Sequence, residues 1–145
     1  MPDKLHKHAS LRVVREYNRR LQRTMRLISV QVFADIREAI NLMQIYSISQ
    51  LPVLDGDRVV GSLDERALLE RLSGTPLDLH GCVALFMQPP LPALEEDVAA
   101  EDALRLLRGG STGVVITRAG VPVGMLTAAD VIAYKVYGGQ VEYEI

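Results

Sequence analysis

The chain has 145 residues, 48% apolar and 23% charged, with a formal net charge of −2. That is enough apolar material for one packed domain, or two small halves sharing a core, and too much for a disordered chain. No run approaches the roughly 18 apolar residues of a membrane span, and no charged-then-apolar leader opens the sequence. The single cysteine, Cys82, cannot form an internal disulfide, so it reads as a small buried residue and the expected setting is the reducing cytoplasm.

Residues 1–26 carry eight basic side chains against Asp3 and Glu16, a charge of +6, which leaves −8 on the rest. Such a leader suits nucleic acid, an acidic partner or the chain's own acidic surface. Residues 1–9 read as a loose start. Ser10 is placed to cap a helix to about Met25, on which Val14, Tyr17, Leu21 and Met25 form a narrow apolar stripe. A short strand is expected over 27–32. Asp35, with Glu38 three residues on, has capping-box spacing for a helix to about Ile45, with Ile36, Ala39, Ile40 and Met43 on its inner face. Strands over 50–54 and 58–63 flank a tight turn at Asp55-Gly56-Asp57. A helix over 65–72 ends at Ser73-Gly74-Thr75-Pro76. A short helix is expected over 81–87, stopped by Pro89-Pro90, then a strand over 91–94. A helix from about Ala99 to Leu107 ends at Gly109-Gly110. Strands over 113–117 and 121–126 flank a turn at Arg118-Ala119-Gly120. A last helix runs from about Ala128 to Tyr137, and residues 141–145 extend as a tail strand.

The chain states one pattern twice. Pro122-Val123-Gly124-Met125-Leu126-Thr127-Ala128-Ala129-Asp130 matches Val59-Val60-Gly61-Ser62-Leu63-Asp64-Glu65-Arg66-Ala67. Residues 27–36 lie over 91–100, and Ala39, Ile40 and Met43 over Ala103, Leu104 and Leu107. The expected fold is therefore α/β, two β-α-β-β-α repeats packed about a pseudo-twofold axis, with an N-terminal basic helix. The division is 1–26 leader, 27–74 first repeat, 75–81 linker, 82–138 second repeat and 139–145 tail.

Two such units, the second closing with Gly-apolar-apolar-Thr-x-x-Asp and the first with a degraded copy, resemble a pair of CBS domains, or Bateman module. Gln50-Leu51-Pro52-Val53 and Met87-Gln88-Pro89-Pro90-Leu91-Pro92 are phrases of the same family. They are similar to the regulatory region of bacterial cystathionine beta-synthases and to archaeal helix-turn-helix/CBS regulators. The chain holds neither a pyridoxal-phosphate domain nor a complete helix-turn-helix. The resemblance implies a regulatory module, not an enzyme, that needs no cofactor and binds an adenosine-containing ligand: AMP, ADP, ATP or S-adenosylmethionine. An Asp accepts hydrogen bonds from both ribose hydroxyls, and a Thr opening a helix offers a hydroxyl beside backbone N–H groups. The residues implied are Thr127 and Asp130, with Met125, Leu126 and Ala129 beside them, and Leu27, Ile28, Ile48, Ser49, Gln50 and Leu51 from the other repeat. Thr127 and Asp130 also fit a plain N-cap and first-turn acid.

In the first repeat Asp64 stands where the Thr belongs and Ala67 where the Asp belongs, so that copy is expected not to bind nucleotide, with Asp64 a helix cap. Ala128 stands where relatives carry a basic residue for phosphates. Arg118, Lys135 or a leader arginine are the candidate substitutes, and the odds move from ATP toward AMP or S-adenosylmethionine. The resemblance further implies a homodimer through helical faces, with Leu42, Leu69 and Val131 as exposed apolar positions, and an effector protein as readout. A ligand-free scaffold is the alternative, or a regulator whose basic helix meets nucleic acid; the acidic body argues against the latter, and no membrane is expected. Catalysis and metal binding find little support. His6 and His8 fall on the leader, His80 is isolated, Cys82 has no His partner, and Glu95-Glu96-Asp97 reads as a solvated turn.

Overall fold

The computed structural model describes residues 10–22, 27–72 and 80–138. The expectations for 1–9, for the helix end at Met25, for the stop at 73–76 and for the tail strand at 141–145 lie outside these residues. The described residues form two compact units. One is 28–91; the other joins helix α1 (Leu11–Gln22) to the chain from Pro92 onward.

In the first unit β1 (Val30–Gln31), α2 (Ile36–Tyr46), β2 (Gln50–Asp55), β3 (Arg58–Asp64) and α3 (Glu65–Leu72) follow in order. β2 is central, parallel to β1 and antiparallel to β3. A parallel pair needs a crossover, which α2 supplies, whereas the antiparallel pair needs only a tight turn. Gly56 takes φ +62° in that turn, a conformation without steric cost for glycine alone. β1 is shorter than the sequence suggests, because only Val30 and Gln31 meet β2, at Val53 and Leu54. Pro52, which has no N–H to give, sits in β2 just before that pairing begins.

Asp35 caps α2 by accepting the Arg37 N–H at 2.8 Å. Its carboxylate also receives the Arg37 guanidinium, in place of the Glu38 amide that a capping box would use. Ile36, Ala39 and Met43 turn into a core with Leu51, Val53, Leu63 and Leu68, while Ile40 is half-buried. Residues 80–91 complete this unit. Ala84 N–H bonds the Val32 carbonyl, Val83 N–H the Ala34 carbonyl, and Ser62 and Gln88 exchange bonds of 2.9 and 2.8 Å. A single 3-10 turn at Val83–Leu85 replaces the helix expected over 81–87.

The second unit repeats the order with β4 (Ala93–Glu95), α4 (Ala100–Arg108), β5 (Val114–Arg118), β6 (Val121–Leu126) and α5 (Ala128–Ala133). β5 is central, parallel to β4 and antiparallel to β6. α1 belongs to this core. Leu11 and Val14 are fully buried with Ala103, Val114, Ile116, Leu126 and Tyr134, and the Leu11 and Arg12 amides bond the Val98 and Glu96 carbonyls at 2.8 and 2.7 Å. α5 is shorter than expected: at Tyr134 it widens into a π turn that runs to Gly138. Of the three apolar positions expected on the surface, Leu69 is exposed and Leu42 is half-buried against the core. Val131 is 1% exposed, a correction, because the α5 face that holds it meets the sheet and leaves Ile132 and Val136 outside.

Candidate functional site

β6 delivers the Thr-x-x-Asp motif. Its last pairs, Met125 with Val115 and Leu126 with Val114, fix where the strand stops. Thr127 then takes extended backbone (φ −114°, ψ 171°) and caps α5. The Asp130 N–H donates to Thr127 Oγ1 at 3.4 Å, while Asp130 Oδ2 accepts the Thr127 N–H at 2.9 Å and its hydroxyl at 3.0 Å. This is a reciprocal capping box, and it fixes the carboxylate at the positive end of the α5 dipole. Both side chains are half-buried, as is Met125, and Ala129 is exposed. Leu126 lies in the unit's core.

The first repeat builds the same corner from different residues. Asp64 Oδ1 accepts the Arg66 N–H at 2.8 Å and the Ala67 N–H at 3.3 Å, so Asp64 is the cap of α3. Ala67 brings no carboxylate to the Asp130 position. The other residues implied by the resemblance lie in this unit, except Leu27, half-buried just before it. Ile28 is half-buried ahead of β1, Ile48 is half-buried, Ser49 exposed, and Gln50 and Leu51 buried. The Ser49 carbonyl accepts the Glu65 N–H at 2.9 Å, which sets residues 48–51 beside the start of α3. The structure thus gathers Met125, Leu126, Thr127, Ala129 and Asp130 in one unit, and Ile28 with Ile48, Ser49, Gln50 and Leu51 in the other.

Among the described residues, the basic candidates Arg118, Lys135, Arg12 and Arg15 are engaged elsewhere. Lys135 Nζ meets Glu101 at 2.6 Å. Arg118 Nε meets Glu96 at 2.6 Å, and the Arg15 and Arg12 guanidinium groups reach the same carboxylate at 3.3 and 3.4 Å. Glu95 and Glu96 of the acidic run are therefore not solvated, which corrects the sequence reading for them, whereas Asp97 is exposed. Glu96 is 4% exposed, and the bond from Arg118 holds its carboxyl below the ordinary glutamate range. Glu95 accepts the Thr117 hydroxyl and the Ala119 and Gly120 amides, and these bonds, the hydroxyl first, lower its carboxyl too. Ala119 (φ 50°) and Gly120 (φ 80°) are both left-handed, so Glu95 pins the hairpin turn that places β6. Sequence reading missed this hub because nothing local sets Arg12, Arg15 and Arg118 beside residue 96. Among the described residues no cluster suits a metal ion, and no helix is long and apolar enough to cross a membrane.

Comparison with known proteins gives the family. The model of the CBS domain matches residues 14–74 and 83–137. Among solved structures, the chain is similar to a putative signal-transduction protein with CBS domains from Burkholderia ambifaria (19% identity, 91% of this chain and 96% of that one, TM-score 0.70). It is similar to CBSX2 in complex with AMP (24% identity, 78% and 92%, TM-score 0.66). It is also similar to the CBS domain of the bacterial CNNM/CorC family Mg2+ transporter in complex with ATP (21% identity, 93% and 92%, TM-score 0.71). Proteins built on such pairs are generally regulatory or signal-transduction modules. With two matched repeats over most of its length, this chain belongs to the CBS-domain family.

Proposed function

We propose that this CBS pair is a non-catalytic sensor that binds one adenosine-containing ligand through Thr127 and Asp130 and passes the bound state to a dimer mate or effector protein. The observation that carries this reading is the asymmetry of the two corners: a Thr-carboxylate box in the second repeat, and an Asp cap without a partner carboxylate in the first. A carboxylate has about four lone-pair sites, so Asp130 can keep the helix cap and still accept ribose hydroxyls. AMP in one similar structure and ATP in another support the ligand class.

The engagement of Arg118 and Lys135 by Glu96 and Glu101 favours a ligand that needs little phosphate neutralisation, AMP or S-adenosylmethionine, over ATP. Arg12 and Arg15 turn toward the same Glu96, which supports a leader helix that serves the fold and not nucleic acid. Isothermal titration of AMP, ATP and S-adenosylmethionine tests the reading. The expected result is one site per chain, filled more tightly by AMP or S-adenosylmethionine than by ATP. Two sites per chain would overturn the asymmetry, and silence from all three would overturn the sensor.

A further inference from the structure

The repeat runs further upstream than its motif. Ser10 bridges Ala99 as Cys82 bridges Asp35. The Leu11 and Arg12 amides bond the Val98 and Glu96 carbonyls, and the Val83 and Ala84 amides bond those of Ala34 and Val32. The accepting positions are 64 residues apart and the donating ones 72. Both segments then reach the glycine that stands three residues before the helix cap. A Cβ at Gly61 would stand 2.6 Å from Met87 Sδ, and one at Gly124 would stand 3.1 Å from Arg15 Cδ. The start of α1 is therefore to the second unit what residues 82–87 are to the first: a segment laid across the strand that delivers the cap residue.

Different forces hold the two segments. In the first unit Ala84 and Met87 pack on a core that includes Val32, and Ser62 of β3 exchanges backbone bonds with Gln88. In the second unit the same three positions are Arg12, Arg15 and Glu96. They are charged together, and the arginines reach the carboxylate at 3.4 and 3.3 Å. Among the described residues no backbone bond joins α1 to β6. Ion pairs in place of apolar contacts grip less firmly, because both charges lose water, and salt screens their exposed part. Leu11 and Val14 still fill the core, so the docked state of α1 is defined while its hold is the weaker of the two.

We infer that the docking of α1 on Glu96 and Gly124 is a two-state latch, and that ligand at Thr127 and Asp130 closes it. This rests on the sensor reading above and names the element that the sensor moves. The link is β6. Arg15 braces that strand at Gly124, and Leu126 packs in one core with Leu11 and Val14 just before the chain reaches Thr127. A corner braced by α1 is preorganised for ligand. Binding linkage is reciprocal, so ligand in that corner tightens α1 by the same factor.

Amide hydrogen exchange of the full chain, followed residue by residue by NMR, tests the latch. AMP and S-adenosylmethionine serve as separate probes, and calorimetry measures the binding of each. Without a probe, the Leu11 and Arg12 amides should exchange faster than the Val83 and Ala84 amides, and added sodium chloride should widen the gap. A bound probe should slow the Leu11 and Arg12 amides by about fivefold or more, and the Val83 and Ala84 amides by less. Glu96→Gln should speed exchange in α1 and weaken the probe. A second variant, Arg12→Ala with Arg15→Met and Glu96→Val, copies Ala84, Met87 and Val32 of the first unit. It should keep α1 docked, with exchange indifferent to salt and to the probe. A probe that binds and leaves α1 exchange unmoved would overturn the latch while the sensor stands. So would Glu96→Gln if it speeds exchange at unchanged affinity. Failure of both probes to bind would remove the sensor reading and the latch with it.

Discussion

Glu96→Ala removes the carboxylate on which three arginines converge. Breaking a buried ion pair from one side costs about 3–5 kcal/mol, because the partner charge stays desolvated. Here the cost falls below that range, for a reason visible in the burial. The Arg12 and Arg118 side chains are 61% and 60% exposed and can rehydrate. Arg15 is 19% exposed, and its Nε is buried with no hydrogen-bond partner among the described residues. One arginine out of three is therefore stranded, and we expect a loss of about 2–3 kcal/mol. The sequence contains no Trp, so urea unfolding followed by circular dichroism is the suitable assay. In a double-mutant cycle Arg15 and Glu96 should couple by about 1 kcal/mol or more, and Arg12 and Glu96 by less. A loss under about 0.5 kcal/mol, the level of an ordinary surface change, would refute the view that Glu96 anchors α1.

Gly61→Ala should destabilise the chain by about 3 kcal/mol and Gly124→Ala by about 1 kcal/mol. At Gly61 a Cβ would stand 2.9 Å from the Gln88 carbonyl, which is backbone, whereas at Gly124 it would meet the flexible Arg15 Cδ at 3.1 Å; equal losses in urea melts would count against this contrast. Asp64→Ala should cost about 1 kcal/mol through the lost α3 cap and leave adenosine-ligand affinity unchanged in calorimetry; a changed affinity would place Asp64 in a binding site. Glu95 and Glu96 both lie below their ordinary 4.5 in the folded chain, so the unfolded chain holds more protons just under that pH. Their stabilisation is then complete above 4.5 and lost as pH falls through the lowered folded values. Stability should fall on acidification below about 4.5, and less steeply in Glu96→Gln; the same slope in that variant would refute the assignment.

Local patterns were legible in the sequence because their causes are local. The Asp35 cap, the turns at Gly56 and Gly120, the Thr127–Asp130 spacing and the Asp64 substitution depend on residues within a few positions of one another. Chain segments that meet across long separations were not. Nothing near Leu11 announces that it fills the core beneath β5 and β6, and nothing near Glu96 announces its arginines. The short helix expected over 81–87 failed for the same reason: the Val83 and Ala84 amides bond the distant Ala34 and Val32 carbonyls, a pairing across about 50 residues that no local pattern announces. Val131 was misplaced because alternate turns of a short helix look alike until the sheet beneath it is known.

The proposed ribose contact at Asp130 is tested by Asp130→Ala and Asp130→Asn, each titrated with the ligand that binds the parent chain best. Asn keeps an acceptor for the Thr127 amide, so it separates loss of the charged contact from loosening of α5. If Asp130 receives the ribose, both variants lose about 1.5–3 kcal/mol of binding, tenfold or more in Kd, while Asp130→Asn melts close to the parent. Affinity unchanged in both variants would contradict the account and leave Asp130 as a helix cap alone.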